Sequence, residues 1–280
     1  MGEALYRLSS TETLENGAVA EIFASDISVL SGWGHIQHGG PVNAILTRSM
    51  ENCQPRENTR LTRITIDILG PVPIADIRVH SRIARPGRRI ELVESVLEAR
   101  DANGQWLAAA KGSAWRLVTN PTNDVVHRAD RTLRLPAEHE VPMNTFKIAS
   151  GESIPGFVHS LDWRIFHHPT TAGERSVAWG NFRSAVVEGE TPSEIQRVAA
   201  IADTANGVGA RLNITKHTFM NTESTIHLFQ QPRGPWYGLE AETSVGEDGV
   251  GMSSAVIHDQ WGPIGKVTQN LLIERLPDRS

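Results

Sequence analysis

Residues 193–212 read SEIQRVAAIADTANGVGARL. Ser193 and Gln196 stand at the spacing of a helix N-terminal capping box, and Ile195, Val198, Ala199, Ala202 and Ala205 fall on one helical face. The stretch is expected to form a single helix that carries Asp203. Its small residues, among them Ala199, Ala200, Gly207 and Gly209, leave room for other backbone to approach on more than one side. Strand-like segments follow: TESTIHLFQ from Thr222, then a run from Trp236 to Glu274 broken by turn residues at Gly246–Gly249 and Asp259–Gly262.

The same order of elements occurs earlier in the chain. GGPVNAILTRSME, from Gly39, has Pro41 suited to the first helical position, where the missing N–H is tolerated, with Val42, Ile45 and Leu46 at helical spacing. LTRITIDIL follows from Leu61, and alternating strands from Ala75 to Leu117 are joined at Pro86–Arg88 and Asp101–Gly104. A shift of 160 sets Thr62 on Thr222, Thr65 on Thr225 and Ile66 on Ile226, and a shift of 158 sets Asp101 on Asp259 and Gly104 on Gly262. One helix followed by an antiparallel sheet, twice, reads as a duplicated α+β unit, against the plainer alternative of two unrelated α+β domains. The divisions expected are a first repeat over 1–120, a linker with little structure of its own over 121–155, and a second repeat over 156–280.

Bulk properties narrow the function. At 280 residues the chain exceeds the roughly 100–200 of one domain, and no apolar run approaches the ~20 residues that a membrane helix requires. With 32 acidic against 27 basic residues the net charge is −5, so a nucleic-acid partner is not expected. Cys53 stands alone, which excludes an internal disulfide and a multi-thiolate metal site, and it reads as a packing residue rather than a nucleophile. His35 and His38 have no third ligand nearby, and the adjacent His167 and His168 point apart in extended chain, so no metal is expected. The N-terminus, MGEALYRLSSTETLENG, has neither a basic start nor an apolar core, and a cytoplasmic location is expected.

The segment GHIQHGGPVNAIL, residues 34–46, resembles the helix start of the small hotdog thioesterases, in which a His-Gly-Gly opens the helix. The second half, from Glu188 through IADTANG to VTQNLLIE, is similar to the thioesterase-like superfamily related to the type II acyl-CoA thioesterases. The resemblance implies an α+β double hotdog, two fused repeats each with an antiparallel sheet wrapped around a long helix. It also implies hydrolysis of an acyl-CoA or acyl-carrier thioester, with coenzyme A as part of the substrate and no separate cofactor. Fusion supplies the usual hotdog dimer within one chain, so both a monomer and a homo-oligomer stay open.

In that family one site takes its glycines from one copy and its acid, nine residues after the histidine, from the other. Here the first helix keeps His38, Gly39 and Gly40 but has Thr47 at the acid position. The second has Asp203 there, with Glu194, Ile195 and Gln196 in place of His-Gly-Gly. One asymmetric site is therefore expected, with the Gly40 amide as oxyanion donor. By resemblance, Asp203, Thr222 and Gln269 order the hydrolytic water. Gln269 also stands out unaided, because it shares a strand face with Val267, Leu271 and Ile273. His38, Gly39 and Trp33 are expected at the acyl pocket, and Arg88, with Arg85 and Arg89, at the phosphates of coenzyme A.

Each of these residues has a plainer reading: a solvent-facing helix acid, turn glycines, an amide satisfied by backbone, a solvated hairpin tip. Two other functions compete. A hotdog hydratase or dehydratase usually pairs its acid with a histidine on the same helix, and the second helix has none near Asp203. A non-hydrolytic acyl-thioester binding protein would keep the pocket without turnover.

Overall fold

The computed structural model describes residues 4–141, 143–146, 154, 156–167 and 173–277, so His168 lies outside the described residues. The first half runs β1 (Ala4–Thr13), β2 (Val19–Ser25), β3 (Leu30–Ser31), β4 (Gly34–Gln37), α1 (Gly39–Asn52), β5 (Thr59–Ile68), β6 (Ile77–Arg85), β7 (Ile90–Arg100) and β8 (Trp106–Val118). The second runs β9 (Leu161–His167), β10 (Ser176–Phe182), β11 (Ala185–Val187), α2 (Glu194–Ala202), α3 (Ala205–Val208), β12 (His217–Asn221), β13 (Glu223–Leu228), β14 (Trp236–Val245), β15 (Val250–Asp259) and β16 (Gly262–Arg275).

Among the described residues, fourteen of the strands form one sheet ordered β11-β1-β2-β6-β7-β8-β5-β13-β16-β15-β14-β10-β9, with β12 also on β16, and β3 and β4 pair with each other apart from it. From its centre outward the order is the same on either side: β5 faces β13, then β8 and β16, β7 and β15, β6 and β14. The molecule is a double hotdog, each half curling its strands around its own helix. The halves meet antiparallel with Thr65 directly opposite Thr225, and the two hydroxyls lie 3.2 Å apart. The residues that a shift of 160 superposes thus mark the local twofold. The symmetry breaks at one edge, where β11 of the second half pairs parallel with β1 of the first, Ala4 against Ala185 and Tyr6 against Val187.

Burial explains the helices. Residues 40–50 of α1 are all buried between the first-half strands and α2, including Arg48, which donates to Glu21 and to Glu190 of the other half. Burial alone would lower the Arg48 pKa; the two carboxylates outweigh it and hold it above its ordinary value. The α1–α2 contact is close because α1 opens on glycine. A Cβ on Gly40 would come within 2.7 Å of the Ala200 carbonyl oxygen and would overlap the Phe157 ring.

Among the described residues, the segment after β8 has little regular structure beyond short 3₁₀ turns at Asn123–Val125 and Glu138–Glu140, yet it is fastened across the outer face of the second-half sheet. Arg128 donates to the Trp261 carbonyl, Asp130 lies 3.3 Å from Lys266, and Arg131 donates to Glu240 at 2.6 Å. On that face Trp179, Gly238 and His258 are cross-strand neighbours, and the indole lies over Gly238. Trp179 and His258 are wholly buried, and neither ring nitrogen of His258 has a hydrogen-bond partner among the described residues.

Burial pushes the His258 imidazole down from its ordinary 6.5 to about 4, against the pull of Glu240 and Asp130. Between these values the unfolded chain binds more protons than the folded one, so stability falls as pH falls through the window. The drop expected from pH 7 to pH 4 is about 3 kcal/mol from this group alone. Denaturant midpoints measured across that range test it: His258→Leu should remove this component of the slope, and an unchanged slope would show that other groups set it.

Candidate active site

Antiparallel packing brings the N-terminus of α1 against the C-terminal end of α2. His38 is the N-cap of α1, and Gly39 and Gly40 are its first two residues. Asp203 caps α2, where the chain breaks before α3 instead of continuing as the single helix that its apolar stripe suggests. Thr204 causes part of that break, its hydroxyl donating back to the Ile201 carbonyl. Gln269 bridges the interruption from β16. Its amide donates to the Asp203 carbonyl at 2.9 Å, and its oxygen accepts the Asn206 N–H at 2.9 Å.

The Asp203 carboxylate is 2% exposed, so its partners decide whether the charge can be held there. Asn221 Nδ2, at the end of β12, donates to Oδ1 at 2.8 Å, and His38 Nδ1 lies 3.0 Å from Oδ2. The N-terminal dipole of α1 favours negative charge at the same point. Gly39 is the residue that admits the carboxylate: a Cβ there would fall 2.5 Å from Oδ1 and 2.7 Å from Oδ2. Nothing among the described residues accepts the Gly39 N–H, which as the first amide of a helix has no intrahelical partner.

His38 Nδ1 has two claims on it. It accepts the Gly40 N–H at 3.0 Å, and it faces Asp203 at the same distance. A neutral ring nitrogen is either an acceptor or a donor, so Nδ1 cannot hold Gly40 and donate to Asp203 at once.

These groups open on a cavity of about 200 Å³. Its polar wall is His38, Gly39, Asp203, Asn206 and Asn221, and its apolar wall includes Trp33, Phe146, Ile154, Leu212 and Phe219. Trp33, from the β3–β4 turn, meets Phe219 edge to face at 5.0 Å. Of the residues expected at the site, Asp203, His38, Gly39 and Trp33 converge on this cavity.

The others are placed differently. Gly40 lies behind the wall, its amide held by His38 and its Cα against Phe157 and Ala200. Gln269 is buried but spends its amide on the backbone of residues 203–206 rather than on the cavity. Thr222 is exposed, its N–H bonded to the Asn270 carbonyl, because it points away from the face that Asn221 presents. Arg88 is exposed on the β6–β7 hairpin, where Arg56 reaches the Gly87 carbonyl just beyond the C-terminal end of α1, the end remote from Gly39. Asn221 is the site residue that the sequence reading missed. It pairs with Leu271 and so shares the inner face with Gln269, a relation that only the register of β12 on β16 reveals.

The pseudo-equivalent position, where α2 starts and α1 ends, is built otherwise. Ser193 caps α2 by accepting the Gln196 N–H, but the Gln196 side chain does not close the capping box; it donates to Glu51 of α1, as does the Ser193 hydroxyl. Thr47, at the acid position, is wholly buried with its hydroxyl unpartnered among the described residues.

The sequence matches the acyl-CoA thioesterase N-terminal domain model over residues 29–117 and the C-terminal domain model over 134–273. The chain belongs to the acyl-CoA thioesterase family. No curated protein matches it in sequence. Among solved structures it is similar to a putative thioesterase II from Thermobifida fusca (14% identity, TM-score 0.72, 96% of this chain and 95% of that one). It is also similar to the acyl-CoA thioesterase II TesB2 of Mycobacterium marinum (14%, TM-score 0.63, 97% of each). A dehydratase domain of the polyketide PpsC from Mycobacterium tuberculosis shares the architecture (14%, TM-score 0.51, 97% and 98%). At these identities the likenesses concern the fold; the family assignment rests on the sequence models.

The Gly39–Asp203 contact of this thioesterase-family chain can be tested directly. Gly39→Ala should displace the buried carboxylate, lower thiol release from acyl-CoA by roughly 100-fold and lower the unfolding midpoint as well. Retained turnover in that variant would show that the contact is dispensable.

Proposed function

We propose that the chain hydrolyses acyl thioesters, with coenzyme A or a carrier thiol as leaving group, at one site shared between its halves. The observation that carries this reading is the buried Asp203 carboxylate on a cavity wall, set against the first helical glycine of the other half.

The thioester carbonyl oxygen sits at the Gly39 N–H, where the start of α1 stabilises developing negative charge. Asp203 takes a proton from water as the water oxygen bonds to the carbonyl carbon, giving a tetrahedral intermediate with its oxyanion on that amide. The intermediate collapses, the carbon–sulfur bond breaks, and the proton held by Asp203 goes to the departing thiolate. The products are a carboxylic acid and a thiol. Asn221 orients the carboxylate, and Gln269 acts as a positioning residue that fixes the turn on which Asp203 stands. The oxyanion role assigned from sequence to Gly40 thus moves to its neighbour, and the water-ordering role of Thr222 to Asn221.

A second reading has one specific observation behind it. The sequence argued against a hydratase or dehydratase because the helix of Asp203 has no histidine, yet His38 of the other half stands 3.0 Å from that carboxylate. A His–Asp pair can add or remove water across an enoyl thioester without breaking the carbon–sulfur bond.

Thiol release from an acyl-CoA panel, with enoyl-CoA loss followed in parallel, separates the readings. Hydrolysis predicts thiol release by the wild-type chain and a kcat lower by roughly 10²- to 10⁴-fold in Asp203→Asn. His38→Asn, which can still cap Gly40, should retain more activity than Asp203→Asn. Loss of enoyl-CoA without thiol release, abolished equally in both variants, would favour the second reading. Neither reaction with any substrate would leave a binding protein.

A further inference from the structure

The local twofold that builds the site has a second end, and the cavity there has been kept while its chemistry changed. Ile195 stands at the place of Gly39, Leu61 at that of Asn221 and Thr47 at that of Asp203. Without a carboxylate at the acid position or a glycine at the helix start, this end cannot perform the reaction proposed above. A cavity of about 250 Å³ nevertheless lies between the C-terminal end of α1 and the start of α2, walled by Glu51, Arg56, Arg60, Arg116, Ile195 and Gln231.

The three guanidinium groups differ in what balances them. Arg116 is committed: it donates to the carbonyls of Met50, Cys53 and Gln54, closing the end of α1, and pairs with Glu91 at 2.9 Å. Arg56 shares Glu91 at 3.9 Å and donates to the Gly87 carbonyl, while its Nε and Nη2 are buried without an acceptor among the described residues. Arg60 donates to the carbonyls of Leu228 and Phe229 and has no carboxylate partner among the described residues. Its pKa is lowered by burial, as for a cation short of counter-charge. Glu51, the acid on the wall, is turned toward α2, where Ser193 and Gln196 donate to it, and burial raises its pKa.

Glu91 is shared by Arg116 and Arg56, and Arg60 has no carboxylate among the described residues, so the wall holds more guanidinium than counter-charge, and excess positive charge on a half-buried cavity wall defines a seat for an external anion. Guanidinium forks match the oxygens of phosphate, and Gln231 adds an amide donor on the same wall. We propose that this cavity is an anion site that takes a phosphate or pyrophosphate group between Arg56 and Arg60, at the opposite end of α1 from the Gly39–Asp203 site. At about 1.5 Å per residue the helix separates the two by roughly 20 Å, so the seat is distinct from the acyl cavity and does not depend on the reaction assigned there.

The test is calorimetric titration of the full chain with inorganic pyrophosphate at low ionic strength. Saturable binding is expected, weakened roughly tenfold or more in Arg56→Met and in Arg60→Met. It should be unchanged in Asp203→Asn and in Arg82→Met, whose exposed guanidinium pairs with Glu94 elsewhere. Arg56→Met is the variant that keeps the α1 end intact, because Arg116 makes the carbonyl bonds there. Titration with adenosine diphosphate and with inorganic phosphate distinguishes a nucleotide from a bare phosphate as the source of the group. The proposal is overturned by absence of saturable binding, by equal binding in Arg56→Met, or by acetate competing as well as pyrophosphate.

Discussion

The structure depends on how closely two antiparallel helices can approach where one begins and the other ends. Gly39 and Gly40 allow the start of α1 to lie against Ala200 and Asp203, and any side chain on either glycine would occupy space already filled. Opposed helix ends place the positive pole of one against the negative pole of the other, and a carboxylate at the junction draws on the first. The small residues of α2 and the burial of residues 40–50 accompany that short separation.

The same contact, repeated by the local twofold, has been used in two ways. At one end a nearly inaccessible carboxylate is held by Asn221 and faces a histidine, an arrangement that hydrophobic packing alone would not preserve. At the other end Glu51 answers the start of α2 from within the chain, and Arg116 closes α1. Duplication released one end from the constraint of the other, since a composite site needs its glycines from one copy and its acid from the second.

Much of this was legible in the sequence. Thr65 and Thr225, superposed by a numerical shift, lie opposite each other at the centre of the sheet. Asp203, His38, Gly39 and Trp33 share one cavity although 165 residues separate His38 from Asp203. What escaped reading depends on register and on backbone geometry. The apolar stripe of residues 195–205 continues through the break at Asp203, because a turn that keeps its residues buried leaves no mark in the pattern. Asn221 and Thr222 are adjacent polar residues at a strand end, and which of them faces inward is fixed only by pairing with Leu271. The fastening of residues 128–131 across Trp179 and His258 rests on charges spread over distant segments, without periodicity.

The strand that breaks the symmetry bears on how the protein is made. β1 precedes the other described strands, and its outer edge is closed by β11, which comes about 70 residues after the end of the first-half sheet. At synthesis rates of roughly 5–20 residues per second, the completed first half waits on the order of 4–14 s with that edge unpaired. An open edge is a template for foreign strands. β11 reaches only Ala4 to Tyr6; beyond it Arg7 to Thr11 are exposed and, Leu8 apart, polar, a composition that discourages pairing with a foreign strand along the rest of the edge.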